Sequence, residues 1–136
     1  MNNIFSVLKK LTLIVLPVFI IHLLVFQIPI LNQAQQSFQY NIWTLYLLFF
    51  IFSKIGIVIV QKVSEKNFES TGATFIIILT IKMAIFYFMA KSVFVPTSEN
   101  SVEKINFCLI IVVFLIIDIF LASQILNKKQ EIDKTQ

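Results

Sequence analysis

The length of its apolar runs decides what this chain can become. Four stretches, residues 11–31, 42–60, 73–95 and 105–126, are 21, 19, 23 and 22 residues long. Each is close to the ~20 residues that cross ~30 Å of hydrocarbon as an α-helix. Many of their residues are β-branched and would favour strands in water. In lipid the backbone must satisfy its own hydrogen bonds, and an unbroken run of this length does so as a helix. No period-two alternation runs through them, which argues against a membrane β-barrel. The sequence therefore predicts an all-α protein, an integral-membrane four-helix bundle forming one transmembrane domain over residues 1–136.

Composition excludes most alternatives. The chain is 58% hydrophobic and 13% charged, about half the charge of a typical soluble domain. Two glycines cannot build the Gly-rich loop that cradles a phosphate. Cys108 is the only cysteine, so there is no disulfide framework. The first run follows Lys9 and Lys10 and has the look of a secretory signal. It is too long for a signal core and lacks a small-x-small cleavage site, so it is expected to remain as a span. Pro17 is expected to kink this helix, while Pro29 and Pro96 fall near helix ends.

Lysine placement predicts orientation. With the N-terminus inside, Lys9, Lys10, Lys62, Lys66, Lys128, Lys129 and Lys134 fall on the cytoplasmic side, against Lys91 and Lys104 opposite. Both termini are then cytoplasmic. Tyr40, Trp43 and Tyr46 fall at the outer start of the second helix, where an interfacial aromatic belt belongs. The lipid bilayer is the expected partner. Nucleic acid is not, because no continuous basic surface lies outside the membrane.

Each run carries one residue out of place in hydrocarbon: His22, Lys54, Lys82 and Asp118. A Lys or Asp at the centre of a span costs about 2.5–3.5 kcal/mol. Counted from the cytoplasmic end of each run, the four lie 11, 6, 9 and 8 residues deep. At 1.5 Å per residue that places them roughly 9 to 17 Å into the core, in one polar layer on its cytoplasmic half.

Lys82 and Asp118 differ by one residue in depth and are the expected ion pair. Such a pair is either a functional centre, for ion passage or for docking a charged helix of another protein, or an internal lock on helix register. Lys54 is shallower and is expected to snorkel to the cytoplasmic headgroups. Ser53 and Gly56 beside it predict a close helix–helix contact. His22 is most simply an imidazole hydrogen-bonded inside the bundle, with a metal or proton role as the alternative. Cys108 is expected to pack. Two buried lysines facing one carboxylate leave room for an acid from a partner's membrane helix.

No catalytic constellation survives inspection. With one His and no paired acids inside the membrane, triads, zinc sites and two-carboxylate chemistry all lack members. Glu65 and Glu69, and Glu99 and Glu103, are expected to be solvated charges. No enzyme activity, metal site or cofactor is expected.

Some short motifs point further. Gly72-Ala73-Thr74-Phe75 leads through apolar residues to Lys82-Met83, and Phe114-Leu115-Ile116-Ile117-Asp118 is followed by Gln124-Ile125-Leu126-Asn127-Lys128. The pattern resembles ATP synthase protein I and its relatives. It is closest in look to a branch of small four-helix proteins often encoded beside the ATP synthase membrane subunits of bacteria. That branch usually has Glu where this chain has the shorter Asp118. The resemblance implies a multi-pass protein of the bacterial cytoplasmic membrane, with Lys82 and Asp118 as its polar, partner-binding centre. It also implies a non-catalytic accessory or assembly role for the membrane sector or c-ring of rotary ATP synthase, with ATP synthase membrane subunits as partners. Magnesium transport has been suggested for protein I, so a small divalent-cation transporter or channel is the alternative. Self-association into a homo-oligomer stays open.

Overall fold

The computed structural model describes residues 2–95 and 101–133, and no strand occurs among the described residues. Five helices follow in order: α1 (Asn2–Val25), α2 (Pro29–Gln35), α3 (Ile42–Lys66), α4 (Thr71–Val93) and α5 (Ser101–Asp133). Four are long and apolar enough to cross a membrane, over Ile4–Val25, Ile42–Lys66, Thr71–Val93 and Ser101–Asn127. Their number, length and composition suit a multi-pass membrane protein.

The first span lies earlier than the hydropathy run of 11–31 indicates. Apolar content continues through residues 26–31, but the helix does not. Pro29 takes the first turn of α2, a position where its missing N–H is no loss. Continuing α1 through it would cost a hydrogen bond and crowd the carbonyl four residues back, whereas starting α2 costs neither. Pro17, by contrast, lies inside α1 and the helix runs through it without interruption. At the other ends, α3 continues six residues past Val60 to Lys66, and α5 begins at Ser101.

α3 and α5 form the central pair, with α1 and α4 packed on their flanks. The most apolar windows of α3 and α5 are 39% and 44% buried inside the protein, against 11% for α1 and α4. The flanking helices thus present most of their apolar surface outward. Phe49 of α3 anchors the core, its ring centroid 4.1 Å from Phe86 of α4 and 5.6 Å from Phe114 of α5. About two turns further along α3, Gly56 faces α4 so closely that a Cβ there would stand 3.0 Å from Ile78 Cγ2. The small residue therefore sets the α3–α4 separation.

The connection between α2 and α3 is pinned from α5. Glu103 Oε1 accepts hydrogen bonds from the backbone N–H groups of Gln39 (2.6 Å) and Tyr40 (3.2 Å). Glu103 is buried, which corrects the expectation that it is a solvated charge: a segment with two donor N–H groups aimed at one point needs an acceptor there. The Asn41 side chain caps α3 by accepting from Trp43 N–H. Pro96, Glu99 and the side chains of Lys128, Lys129, Glu131, Asp133 and Lys134 lie outside the described residues.

Candidate functional site: the polar centre of the bundle

Lys82 stands eleven residues from each end of α4, and Asp118 lies near the middle of α5. Both are almost fully buried, 4% and 5% exposed. They form an ion pair through Asp118 Oδ2. The Lys82 ammonium also donates to the Ser53 hydroxyl at 2.7 Å, so one cation ties together α3, α4 and α5. The rings of Phe86 and Phe114 lie 5.6 Å from Nζ on either side and supply cation–π attraction. Charge, hydroxyl and rings together replace the water that the ammonium loses on burial.

Asp118 is less completely served. Its Oδ1 is buried and has no hydrogen-bond partner among the described residues. Beside the pair is a cavity of about 10 Å³ whose wall includes Ser53, Gly56, Ile78, Lys82 and Asp118. That is about the room one water needs.

A second polar set lies elsewhere. His22 Nδ1 is 2.9 Å from the Tyr46 hydroxyl and His22 Nε2 is 2.7 Å from Asn106 Oδ1. With the proton on Nε2, Tyr46 donates to the ring, the ring donates to Asn106, and Asn106 Nδ2 alone is left without a partner. The reverse tautomer would also strand the Tyr46 proton, so the network favours the first assignment. Phe26 stacks on the imidazole with centroids 5.2 Å apart. The set joins α1, α3 and α5 as the Lys82 set joins α3, α4 and α5.

Of the four residues expected in one polar layer, Lys54, Lys82 and Asp118 stand near the middles of their helices, whereas His22 belongs to this second set. His22 lies three residues before the end of α1, and Tyr46 and Asn106 lie near the starts of α3 and α5. This set sits at the bundle end away from the chain termini. Because α1 begins at Asn2 and stops at Val25, His22 lies about two turns deeper from its start than a count over residues 11–31 gives. Lys54 shares the level of Lys82 and Asp118 but joins neither set. It stands at the centre of α3, twelve residues from either end, and its ammonium lies over the Phe50 ring at 4.3 Å. Phe50 is one turn toward the helix N-terminus, so the side chain runs away from the end to which it was expected to snorkel. Cys108 is exposed on α5 rather than packed.

Tyr46, Asn106 and Glu103 are the polar residues whose buried partners the sequence does not announce. Asn106 had a signal, being an amide inside the fourth apolar run. Tyr46 was assigned to the interfacial belt with Tyr40 and Trp43; instead it is buried and only Trp43 is broadly exposed. Among the described residues no group of three or more His, Cys, Asp or Glu side chains converges in a way that could hold a metal ion. Comparison with protein-family models, with curated proteins and with solved structures finds no match.

Proposed function

We propose that this protein is a non-catalytic accessory protein of a larger membrane complex, whose bundle docks against helices of its partner. The observation that carries this reading is the closure of the polar centre. Lys82, Asp118 and Ser53 satisfy one another inside the bundle, beside space for about one water. Such a centre fixes three helices in register; a conduction path would need polar groups and room on both sides of it. The surface supports the same reading, since α1 and α4 turn long apolar faces outward, with residues such as Leu13, Ile21, Ile76 and Phe88 well exposed. Lipid covers such faces adequately, and so does another helix.

The resemblance of the Gly72–Phe75, Lys82–Met83 and Asp118 segments to ATP synthase protein I relatives names the partner in this proposal: rotary ATP synthase of the bacterial cytoplasmic membrane, at the stage of membrane-sector or c-ring assembly. In that role Lys82 and Asp118 serve binding by holding the docking helices in place. One observation favours a second reading, small-cation transport: the unpartnered Asp118 Oδ1 is a buried carboxylate oxygen. Against it, hard divalent cations want several oxygen ligands, and Lys82 occupies the other side of the same carboxylate.

Affinity purification from native membranes in mild detergent, followed by mass spectrometry, tests the proposal. The expected result is co-purification of ATP synthase membrane subunits, lost with Lys82→Met or Asp118→Leu. Recovery of the protein alone, even after chemical cross-linking, overturns it and directs attention to cation flux into liposomes.

A further inference from the structure

The His22 set has one loose end. Asn106 of α5 is 4% exposed, and its Oδ1 accepts from His22 Nε2. Its Nδ2, also buried, has no hydrogen-bond partner among the described residues. Enclosed donors of this kind are rare, and each needs an acceptor to offset the water it has lost. The Tyr46 hydroxyl and both imidazole nitrogens are engaged with one another or with Oδ1, so the set itself supplies none.

The space adjoining Asn106 is a pocket of about 420 Å³ between α1 and α5. His22 and Asn106 stand in its wall with Val18, Ile21, Ile105 and Leu109. Ile21, Ile105 and Leu109 are exposed, so the pocket opens on the outer, apolar flank of the two helices. Its size is that of a small-molecule site. Its lining, apolar but for one free donor, calls for an apolar body that carries an acceptor.

Level along the bundle identifies that acceptor. The candidate span of α5 has 27 residues, about 40 Å of helix against about 30 Å of hydrocarbon. Centred in the bilayer, such a span leaves about 5 Å at each end in the interfacial layer. Asn106 follows Ser101, the first residue of that span, by about 7.5 Å of helix, which puts its amide at the hydrocarbon edge. His22, three residues before the end of α1, agrees. The ester carbonyls of diacyl lipids lie in that boundary, beneath the headgroups. An isoprenoid quinone carries carbonyls on opposite sides of its ring and asks for a donor at each, where the pocket has one. A membrane helix offers backbone carbonyls that its own N–H groups already occupy.

We propose that the α1–α5 pocket holds an acyl chain of a diacyl glycerolipid, in the leaflet away from the chain termini, and that Asn106 Nδ2 donates to the ester carbonyl of that chain. This site is separate from the docking role proposed above and stands or falls without it.

Native mass spectrometry tests it, on the full chain released from bilayers that hold equal amounts of a chain-matched diester and diether phosphatidylglycerol. The diether has the same headgroup and chains and lacks the carbonyls. The expected result is a retained lipid that is diester rather than diether by about fivefold, the weight of one hydrogen bond. Asn106→Leu should abolish that preference. His22→Leu breaks the same His22–Asn106 bond but spares the donor, so it should keep the preference. Val18→Trp, which fills the pocket from its wall, should remove the retained lipid. The inference is overturned by equal retention of the two lipids, by a preference that survives Asn106→Leu or is lost equally in His22→Leu, or by full retention in Val18→Trp. An isoprenoid quinone that displaces the diester lipid at equal concentration likewise overturns it.

Discussion

Lys82 of α4 and Asp118 of α5 meet near the midpoints of their helices, and the Lys82 ammonium bridges onward to Ser53 of α3. A pair in that position binds three helices through one point. Removing either member leaves the other charged or polar group buried without its counterpart, which typically costs about 3–5 kcal/mol, whereas replacing both with apolar residues is close to neutral. Lys82→Met and Asp118→Leu should each lower the unfolding midpoint sharply in an SDS titration of the purified protein. The double variant should recover most of the loss. A double variant no better than the worse single one would remove the pair as the reason for the destabilisation.

The His22 set gives a milder expectation. Hydrogen bonds between membrane helices couple by about 0.6 kcal/mol on average and up to about 1.7. A double-mutant cycle over His22→Leu and Asn106→Leu should return a coupling in that range, measured by the same titration. Tyr46→Phe should cost less than His22→Leu, because it breaks one of the two bonds on the imidazole and keeps the ring that packs against Phe114 at 5.6 Å.

Gly56 makes a steric prediction. With Ile78 Cγ2 3.0 Å from where a Cβ would sit, Gly56→Leu should force α3 and α4 apart at a cost of about 1–3 kcal/mol from overpacking. Adding Ile78→Ala should relieve part of it. Equal stability of Gly56→Leu and the native protein would show that the two helices separate without penalty.

These three expectations divide according to what hydropathy can see. The number of spans and the meeting of Lys82 with Asp118 were legible, because long apolar runs and isolated charges within them are strong signals in lipid. Helix ends were not. Residues 26–31 are apolar enough to belong to a span, yet the backbone turns there because Pro29 starts a new helix at less cost than it extends the previous one. That shift hid the partners of His22, and the extension of α3 to Lys66 hid the central position of Lys54. Glu103 and Asn106 were hidden for a different reason. Their partners, Gln39, Tyr40 and His22, are more than sixty residues away in sequence, and no local pattern announces a contact of that range.

Glu103 supplies a local test. A carboxylate accepting two backbone N–H bonds is a charge-assisted contact of about 1.5–3 kcal/mol. Glu103→Ala should therefore increase hydrogen–deuterium exchange at the Gln39 and Tyr40 amides by more than tenfold while leaving the α4 amides protected. Unchanged exchange at those two amides would show that the connection before α3 holds its shape without α5.

Topology can be checked directly. The lysine asymmetry predicts residues 67–70 on the cytoplasmic side and residues 36–41 on the other. Single cysteines introduced into these connections, in a Cys108→Ser background, should label with a membrane-impermeant thiol reagent from opposite faces of sealed vesicles. The residue 67–70 position should be reached from the cytoplasmic face.

Both polar sets close on α5. Asp118 completes Lys82, and Asn106 completes His22, while Glu103 fastens the connection that leads into α3. Of the four spans, α5 is the last to leave the ribosome. Until it arrives, the three earlier helices sit in the bilayer with an imidazole and an ammonium still waiting for acceptors. A chain halted before residue 101 would therefore leave both groups without the acceptors that α5 supplies.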